Sequence, residues 1–503
     1  MKPTECTTIL VGKDATIDGS TMIARSEDGG RTIIPERFDV VMPADQPKHY
    51  ESVISHQKID DEDLLPNPLR YTSAPDASGE NGIWAAAGIN SDNIAMTATE
   101  TITTNSRIQG IDPLLEKGGL GEEDFVTLTL PYIHSAYEGV ERVGYLLEKG
   151  GLGEEDFVTL TLPYIHSAYE GVERVGYLLE KYGTYEMNGM AFSDKNEIWY
   201  LETIGGHHWA ARRIPDDAYV IAPNRLNIDE FYFDNDDFAS SEDLKDLIEE
   251  YHLNPDLEGY NLRHIFGSST IKDAHYNNPR AWYIHNYFDP NFGGEPSDQD
   301  QPFICHANRK ISIEDIKWAE SSHYQDTPFD AYGDQGTPEQ KKTFRPIGIN
   351  RNFETHILQI RNDVPEEIAG VQWLAFGPNT FNSMVPFYTN ITTTPASFQT
   401  GPKFDLNKIF WLNKLTAQLG DTNFRVYGEL EADFEQKSLA QCHKIQHETD
   451  KEIENYSGNE LQDKLNKANQ KMADTVYNNT VELLGNMVNE GHGLMTLKYD
   501  LLD

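Results

Sequence analysis

Short runs of β-forming residues recur along the first half of the chain and predict antiparallel strands. Residues 6–11 (CTTILV) and 20–25 (STMIAR) flank a segment rich in Gly and Asp, which predicts a first hairpin. Residues 82–88 and 94–100 flank a polar turn and predict a second hairpin. Four later runs predict an antiparallel meander: 187–193, 197–203, 207–214 and 218–224.

Apolar residues at helical spacing dominate three other stretches, 122–148, 242–252 and 429–488. Hairpins interleaved with helices predict an α+β protein in which helices cover the sheet. Residues 429–503 are rich in Glu, Lys, Gln and Asn and carry no evident chemistry. We therefore predict a catalytic body over 6–428 and a helical C-terminal region over 429–503.

A perfect repeat interrupts the middle of the chain. Residues 118–149 (GGLGEEDFVTLTLPYIHSAYEGVERVGYLLEK) recur without a change at 150–181. Solenoid proteins need about three or more units, and their copies drift in sequence. Two identical copies instead indicate a recent duplication or an artefact of sequence assembly. We predict that one copy is surplus and forms an extra helical hairpin.

The chain is strongly acidic. Among its 503 residues, 82 Asp and Glu are set against 41 Lys and Arg, a formal net charge of -41. A surface of this sign repels phosphate backbones and anionic lipids, so we expect no nucleic acid and no membrane partner, and a weak attraction for cations such as a peptide ammonium. No apolar run approaches the ~18 residues of a membrane-spanning helix, and the N-terminus lacks the apolar core of a signal peptide.

The three cysteines, Cys6, Cys305 and Cys442, are scattered and form no CxxC pair. An odd number at such positions argues against a disulfide framework and against a structural zinc site. We therefore predict a cytoplasmic protein with free thiols, in which Cys305 and Cys442 are buried structural residues.

Cys6 is the candidate for chemistry, although an apolar-flanked cysteine in a strand is more often core packing. Cleavage of the Glu5–Cys6 bond would put a free α-amine on the same residue as the thiol. Such an amine has a pKa of about 7.7–8.0 in peptides and suits a general base for the thiol. Because removal of Met1 alone cannot expose Cys6, we predict that residues 1–5 are a propeptide that Cys6 itself removes.

Arg25 and Asp28 are placed to support Cys6 if the first hairpin turns near residues 15 and 16. Paired positions then sum to about 31, which puts Arg25 opposite Cys6 with their Cβ atoms ~4.5–5.5 Å apart. A guanidinium at that place lowers the pKa of a thiol and favours the thiolate. Asp28 falls just beyond the strand, within reach of the α-ammonium. An ordinary Arg–Asp surface pair is the alternative interpretation.

These residues lie in a recognisable context. The strings CTTILVG and GSTMIARSED, within residues 6–28, resemble the start of the N-terminal-nucleophile cysteine hydrolases. In particular, they look like the dipeptidase D (PepD-type) peptidases of lactic acid bacteria and the related secernins. It continues through four further segments: AAGINSDNIAMTATET, EIWYLETIGGHHWAARRIPDD, APNRLNI and NNPRAW. The repeat is the main departure, since these dipeptidases carry the segment once.

The resemblance implies a four-layer αββα fold and a thiol nucleophile that needs no metal or organic cofactor. In the wider superfamily, which includes penicillin V acylases and bile salt hydrolases, the pattern is a leading Cys, then R-x-x-D, an Asn at a strand end and a later Arg. Cys6, Arg25, Asp28, Asn224 and Arg280 occupy those places, although the neighbours of Asn224 and Arg280 differ from the acylase pattern.

The function implied by the resemblance is hydrolysis of dipeptides, with broad specificity, through a thioester on Cys6. Two alternatives stay open: an N-acyl amide hydrolase of the same superfamily, and a non-catalytic secernin-like binding protein that retains Cys6. The sequence leaves the oligomeric state open, a homo-oligomer included.

Overall fold

Two large antiparallel sheets organise the chain, as seen in a computed structural model. The structure describes residues 6–30, 32–45, 49–51, 58–59, 68–79, 85–99, 102–115, 167–169, 172 and 184–495. Within these ranges the strands form sheets of six, eight and two members, and helices lie beside them. The chain is therefore an α+β protein, as the hydrophobic pattern predicts.

The six-stranded sheet has the first predicted hairpin near its centre. Every strand is antiparallel to its neighbours, and the order across the sheet is β12 (Tyr219–Pro223), β1 (Thr7–Val11), β2 (Thr21–Asp28), β14 (Asn352–Ile360), β15 (Gly370–Phe376) and β16 (Val385–Tyr388). Every residue of β1 and β2 is buried, so this pair is covered on both faces.

The eight-stranded sheet contains the second predicted hairpin. Its order is β13 (Phe238–Ser240), β11 (Trp209–Ile214), β10 (Ile198–Thr203), β9 (Gly189–Ser193), β8 (Ala95–Thr99), β7 (Ala85–Asn90), β6 (Tyr71–Pro75) and β3 (Asp39–Val41). A separate short ribbon pairs β4 (Tyr50–Glu51) with β5 (Lys58–Ile59).

The predicted meander is confirmed for β9, β10 and β11; its fourth predicted strand is present as β12, but it does not belong to this sheet. The strand over 219–223 leaves this sheet and pairs with β1 in the other one. All five residues of β12 are buried, and the six-stranded sheet offers cover on both faces of this strand. Alternating hydrophobicity alone does not say which of two sheets a strand joins.

Eight α-helices are described outside the sheets. They are α1 (Ser106–Gln109), α2 (Leu244–Glu250), α3 (Leu262–Phe266), α4 (Asn278–Phe288), α5 (Ile313–Ser321), α6 (Ile409–Thr422), α7 (Phe424–Glu452) and α8 (Gly458–His492). A π-helical turn, Asp273–Asn277, leads directly into α4. Short 3-10 turns occur at Pro43–Asp45, Gln340–Lys342, Glu366–Ile368, Asn379–Phe381, Ala396–Phe398 and Ile453–Asn455.

The six-stranded sheet lies between helices and the eight-stranded sheet. Leu10, Ile23 and Leu358 on one face pack in a single buried cluster with residues of β7, β8 and β9. Ile9 and Ile357 on the other face pack in a second cluster with residues of α4 to α8. Alternate residues of the central strands therefore face either the second sheet or the helices.

The helical C-terminus begins earlier than the sequence pattern predicts, because α7 starts at Phe424 rather than near residue 429. It also closes the edge of the six-stranded sheet. The side chain of Asn469 on α8 accepts from the backbone N–H of Tyr388 and donates to its carbonyl, each at 3.0 Å. These bonds take up backbone groups that an edge strand would otherwise expose. The division of the chain at residue 429 stays a prediction.

Most of the repeat, and with it the helix predicted over 122–148, falls outside the described residues. The exceptions are residues 167–169 and 172 of the second copy. Ala168 and Val172 are fully buried, and the ring of Tyr169 lies 4.8 Å from that of Trp199 on β10. The described part of the second copy thus packs on the eight-stranded sheet. No helix within the described ranges is long and apolar enough to cross a membrane.

Candidate active site

Cys6 lies immediately before β1, at one end of the six-stranded sheet. Its thiol forms no disulfide with any described residue, and the side chain is only 1% exposed. Since β1 is hydrogen-bonded on both sides, by β12 and by β2, the position of Cys6 is fixed by two neighbouring strands. A nucleophile held in this way loses little freedom when it reacts.

Arg25 contacts Cys6, although not through the register that the sequence predicts. Arg25 pairs with Thr8, so the hairpin is displaced by two residues and Glu27 is the residue opposite Cys6. The displacement arises because the turn is longer and its centre is later than residues 15 and 16. A shift of two residues keeps every side chain on its face. Nη1 of Arg25 consequently reaches Sγ of Cys6 diagonally, at 3.5 Å.

The second guanidinium nitrogen of Arg25, Nη2, lies 3.2 Å from Oε2 of Glu27. Both side chains are buried, so this ion pair is shielded from water. A guanidinium beside a cysteine favours the thiolate form. For the other two cysteines, burial raises the pKa of the thiol to about 12.

Asp28 is the last residue of β2 rather than a residue beyond it. It is 1% exposed, and its carboxylate accepts hydrogen bonds from Nη2 of Arg345 and, at 3.2 Å, from Nδ2 of Asn352. Two donors that are distant from Asp28 in sequence therefore fix its carboxylate beside the N-terminal end of β1. Arg345 and Asn352 were not among the predicted site residues.

Asn224 follows β12 directly, and continuing the β1–β12 register by one residue puts it opposite Cys6. Its side chain is fully buried. Asn224 therefore stands at a strand end, as the sequence pattern requires. It lies opposite the candidate nucleophile, Cys6, on the neighbouring strand. Glu202 holds the loop that follows, accepting from the backbone N–H groups of Asn227 and Ile228 at 2.7 and 2.9 Å.

Arg280, on α4, joins the strand ends into one network. Its Nη1 donates to the carbonyl oxygen of Cys6 and, at 2.8 Å, to Oγ1 of Thr7. Its Nη2 donates to Oδ1 of Asn224 at 2.9 Å and to Oδ1 of Asn277 at 2.7 Å. The guanidinium is fully buried and every one of these partners is an oxygen, as its five donors require.

Asn277 and Asp273 are further parts of this network that sequence reasoning missed. Nδ2 of Asn277 donates to the backbone carbonyl of Asn224 at 3.0 Å and to Oδ1 of Asp273 at 2.7 Å. The π-helical turn supplies both residues just before α4. A signal existed, since Asn277 opens the NNPRAW string that contains Arg280. Nothing in that string, however, distinguishes a structural Asn from a site residue.

The structure therefore brings four of the five predicted residues into one hydrogen-bonded group: Cys6, Arg25, Asn224 and Arg280. Asp28 lies at the same end of the sheet and is held by Arg345. A buried thiol next to a guanidinium, with a carboxamide opposite it, is a set of groups suited to nucleophilic attack on a carbonyl.

The sequence of this chain is similar to those of known peptidases. The sequence profile of peptidase family C69 matches residues 5–152 and 146–437, and the two matches overlap where the copies of the repeat meet. The chain is 80% identical to dipeptidase A of Lactobacillus helveticus over 506 aligned residues, which cover 100% of both chains. It is 54% identical to the probable dipeptidase B of Lactococcus lactis over 99% of its length and 98% of the relative's.

A more distant relative gives the same result. A dipeptidase of Bifidobacterium longum is 42% identical over 477 residues, 89% of this chain and 83% of the relative. These matches confirm the resemblance to the dipeptidases of lactic acid bacteria, and they extend over both the first hairpin and α4. The chain belongs to peptidase family C69.

Proposed function

We propose that this chain is a dipeptidase whose nucleophile is the thiol of Cys6, freed as the N-terminal residue by removal of residues 1–5. The observation that carries the proposal is the single network that joins Cys6 to Arg25, Arg280 and Asn224. The names of the relatives supply the substrate class, since all three are described as dipeptidases or probable dipeptidases.

Removal of the propeptide uses the same thiol. Sγ of Cys6 attacks the carbonyl carbon of Glu5, a C–S bond forms, and the C–N bond to Cys6 breaks. The Cys6 nitrogen takes up the proton that the thiol gives up and becomes a free amine. Water then hydrolyses the thioester, releases residues 1–5 and restores the thiol. The product carries the nucleophile and its base on one residue.

Turnover repeats this chemistry on a substrate peptide bond. The Cys6 thiolate attacks the substrate carbonyl, and the α-amine passes the thiol proton to the leaving amine. The side-chain amide of Asn224 donates to the oxyanion, a contact whose loss elsewhere costs ~2.7–4 kcal/mol. Water resolves the thioester in the second half-reaction. Asp28 holds the α-ammonium and Arg280 holds Asn224.

The four-layer arrangement is part of the same proposal. Helices α4 to α8, the six-stranded sheet and the eight-stranded sheet are three successive layers. Ala168, Tyr169 and Val172 pack on the eight-stranded sheet, and the ring of Tyr169 lies 4.8 Å from that of Trp199. We propose that they belong to the fourth, helical layer.

We also propose that the enzyme accepts dipeptides with varied side chains and that it is cytoplasmic. Both rest on the family resemblance, and a reducing compartment suits a mechanism that needs Cys6 as a free thiol. The proposal is tested with purified protein of known N-terminus. A panel of free dipeptides, their N-acetylated forms and tripeptides is assayed with wild type and Cys6→Ala.

We expect hydrolysis of several free dipeptides by wild type and none by Cys6→Ala. Preference for the N-acylated compounds would replace the dipeptidase with an N-acyl amide hydrolase. Absence of hydrolysis on the whole panel, with residues 1–5 still attached, would favour a non-catalytic protein.

A further inference from the structure

A row of buried, hydrogen-bonded side chains leads from the π-helical turn to Asn224. Oδ1 of Asp273 accepts from Nδ2 of Asn277 at 2.7 Å. Oδ1 of Asn277 accepts from Nη2 of Arg280 at 2.7 Å, and the same nitrogen donates to Oδ1 of Asn224 at 2.9 Å. Asp273 is 1% exposed, and the other three residues are fully buried. We refer to Asp273, Asn277, Arg280 and Asn224 as the Asp273 network.

Asp273 ends this network on the side away from Asn224. Its Oδ2 accepts from Oγ of Ser268 at 2.9 Å, and from the backbone N–H and Oγ1 of Thr270 at 2.9 and 2.8 Å. Together with Asn277 on Oδ1, these donors surround both oxygens, as suits a carboxylate, which has no proton to donate. Asp273 therefore acts as an acceptor toward every one of these groups.

The orientation of both carboxamides follows from that carboxylate. Asn277 lies between a group that only accepts and a guanidinium that only donates, so its Nδ2 faces Asp273 and its Oδ1 faces Arg280. The second N–H of this Nδ2 donates to the backbone carbonyl of Asn224 at 3.0 Å. Arg280 in turn requires the oxygen of the Asn224 side chain, whose Nδ2 is then directed away from the guanidinium.

Arg280 transmits this orientation because its guanidinium is held on every side. Nε donates to the backbone carbonyl of Tyr276 at 2.6 Å. Nη1 donates to the carbonyl of Cys6 and, at 2.8 Å, to Oγ1 of Thr7. With the two bonds of Nη2, all five N–H groups have an acceptor. Loss of the acceptor on Asn277 would leave a buried N–H unpaired, which costs free energy and lets the guanidinium shift.

The backbone singles out the same residues. The N–H of Asn278 donates to the carbonyl of Asp273, five residues earlier, and α4 continues from there through Arg280. Single π-helical turns are rare and occur frequently at functional sites. This observation is independent of the side-chain hydrogen bonds and points to the turn that supplies Asp273 and Asn277.

Building on the proposed function, in which Asn224 is the oxyanion donor, we propose that Asp273 is a positioning residue for catalysis. Through Asn277 and Arg280 it holds the Asn224 carboxamide with Nδ2 available to the developing oxyanion. Because the oxyanion forms only as the reaction proceeds, substitution of Asp273 should lower kcat and leave KM nearly unchanged.

Asp273→Asn is the sharpest substitution, because it changes the polarity of the side chain with little change in shape. The three donors at Oδ2 retain the oxygen of the introduced carboxamide, so its NH₂ group faces Nδ2 of Asn277. Two donors then meet. Asn277 relieves this contact by turning its carboxamide, which puts its own NH₂ group against the guanidinium of Arg280. The variant thereby reverses the network without removing an atom of Asn224.

The experiment is a double-mutant cycle on leucyl-glycine with wild type, Asp273→Asn, Asn224→Ala and the double variant. kcat and KM are measured per mature chain, with mature chains counted by intact mass. Asp194→Asn is the matched control. It changes another buried carboxylate, which accepts from the backbone N–H of Asn196 at 2.7 Å in the turn between β9 and β10.

We expect Asp273→Asn to lower kcat by about ten- to a hundredfold, with KM within about threefold of wild type. In the Asn224→Ala background the same substitution should lower kcat by less than about threefold, because the donor that it positions is already absent. Alkylation of Cys6 by iodoacetamide should stay within about twofold of the wild-type rate. Asp194→Asn should change kcat by less than about threefold in both backgrounds.

A kcat of Asp273→Asn within about threefold of wild type would overturn the proposal. Equal losses in both backgrounds would overturn it too, because Asp273 would then act on folding or on Cys6 rather than through Asn224. If Asp273→Asn does not fold, Asn277→Ala takes its place in the same cycle, with the same expected results.

Failure of the proposed function gives a different pattern. If Asn224→Ala itself keeps the kcat of wild type, Asn224 is not the donor and the mechanism fails. If Asn224→Ala loses activity while Asp273→Asn does not, only the positioning role of Asp273 is disproved.

Discussion

Arg280 donates a hydrogen bond from Nη2 to Oδ1 of Asn224 at 2.9 Å. A guanidinium has only donors, so the atom of Asn224 that faces it is the carboxamide oxygen. This contact fixes the orientation of the carboxamide and turns its Nδ2 away from Arg280. Arg280 thereby positions the donor that the proposed mechanism assigns to the oxyanion.

Asn224→Asp is the most selective test of that donor. The substitution keeps the shape of the side chain and the contact with Arg280 but removes the N–H group. We expect kcat to fall by about 10²–10³. Asn224→Ala, which adds no charge, should show a similar loss and serves as the control. If Asn224→Ala keeps kcat within about threefold of wild type, Asn224 is not the oxyanion donor.

Arg25→Ala should make Cys6 less reactive at neutral pH. Removal of the guanidinium at 3.5 Å from Sγ takes away the charge that favours the thiolate. The rate of alkylation by iodoacetamide, measured against pH, should have its midpoint shifted to higher pH. Arg25→Lys retains the positive charge and should shift the midpoint less. Coincident profiles for wild type and Arg25→Ala would contradict the role given to Arg25.

Much of the fold around Cys6 follows from the sequence. The first hairpin lies where the β-forming runs predict, and its even register error leaves Arg25 on the face of Cys6. The length of the turn in this hairpin could not be predicted, because residues 12–20 contain several turn-forming residues and no single centre. The crossing of β12 to the other sheet was not predictable either, although it is what puts Asn224 opposite Cys6.

Three buried carboxyl residues, Glu36, Asp76 and Glu354, show why contacts between distant parts of the chain could not be predicted. Glu36, Asp76 and Glu354 are far apart in sequence, and each looks like an ordinary surface carboxylate in a chain with 82 Asp and Glu. Only the pairing of β2 with β14, and the bridge between residues 36 and 76, bring them together. Local pattern carries no information on such long-range pairing.

Glu320 on α5 gives a prediction for stability. Its side chain is fully buried, and burial raises its pKa from 4.5 to about 8. Between these values the folded protein binds a proton that the unfolded chain does not. Stability conferred by the protonated group is therefore full below pH 4.5 and is lost as the pH rises toward 8, by ~1.4 kcal/mol per pH unit.

Glu320→Gln should remove this dependence. We expect the free energy of unfolding of the variant, relative to wild type, to rise by about 2–3 kcal/mol between pH 5.5 and 7.5, measured with urea. Glu366→Gln, at an exposed carboxylate that is 81% accessible, should show no such change. Parallel pH profiles for wild type and Glu320→Gln would show that Glu320 ionises as an ordinary carboxyl.

Deletion of residues 150–181 should preserve catalysis and leave stability equal or higher. The two copies are identical, so this deletion gives the same polypeptide as removal of 118–149. The remaining copy can therefore supply the residues that now pack beside Trp199. The measurements are kcat/KM and the thermal midpoint. A folded deletion variant without turnover would show that both copies are needed by the site.

The central claim is that Cys6 acts as an N-terminal residue, and intact mass spectrometry of active protein tests it most directly. A sample that hydrolyses dipeptides is predicted to contain chains that begin at Cys6, in proportion to its activity. Cys6→Ser should process slowly, and Cys6→Ala should keep residues 1–5 and have no activity. Full activity in a sample whose every molecule still carries Met1–Glu5 would contradict the account.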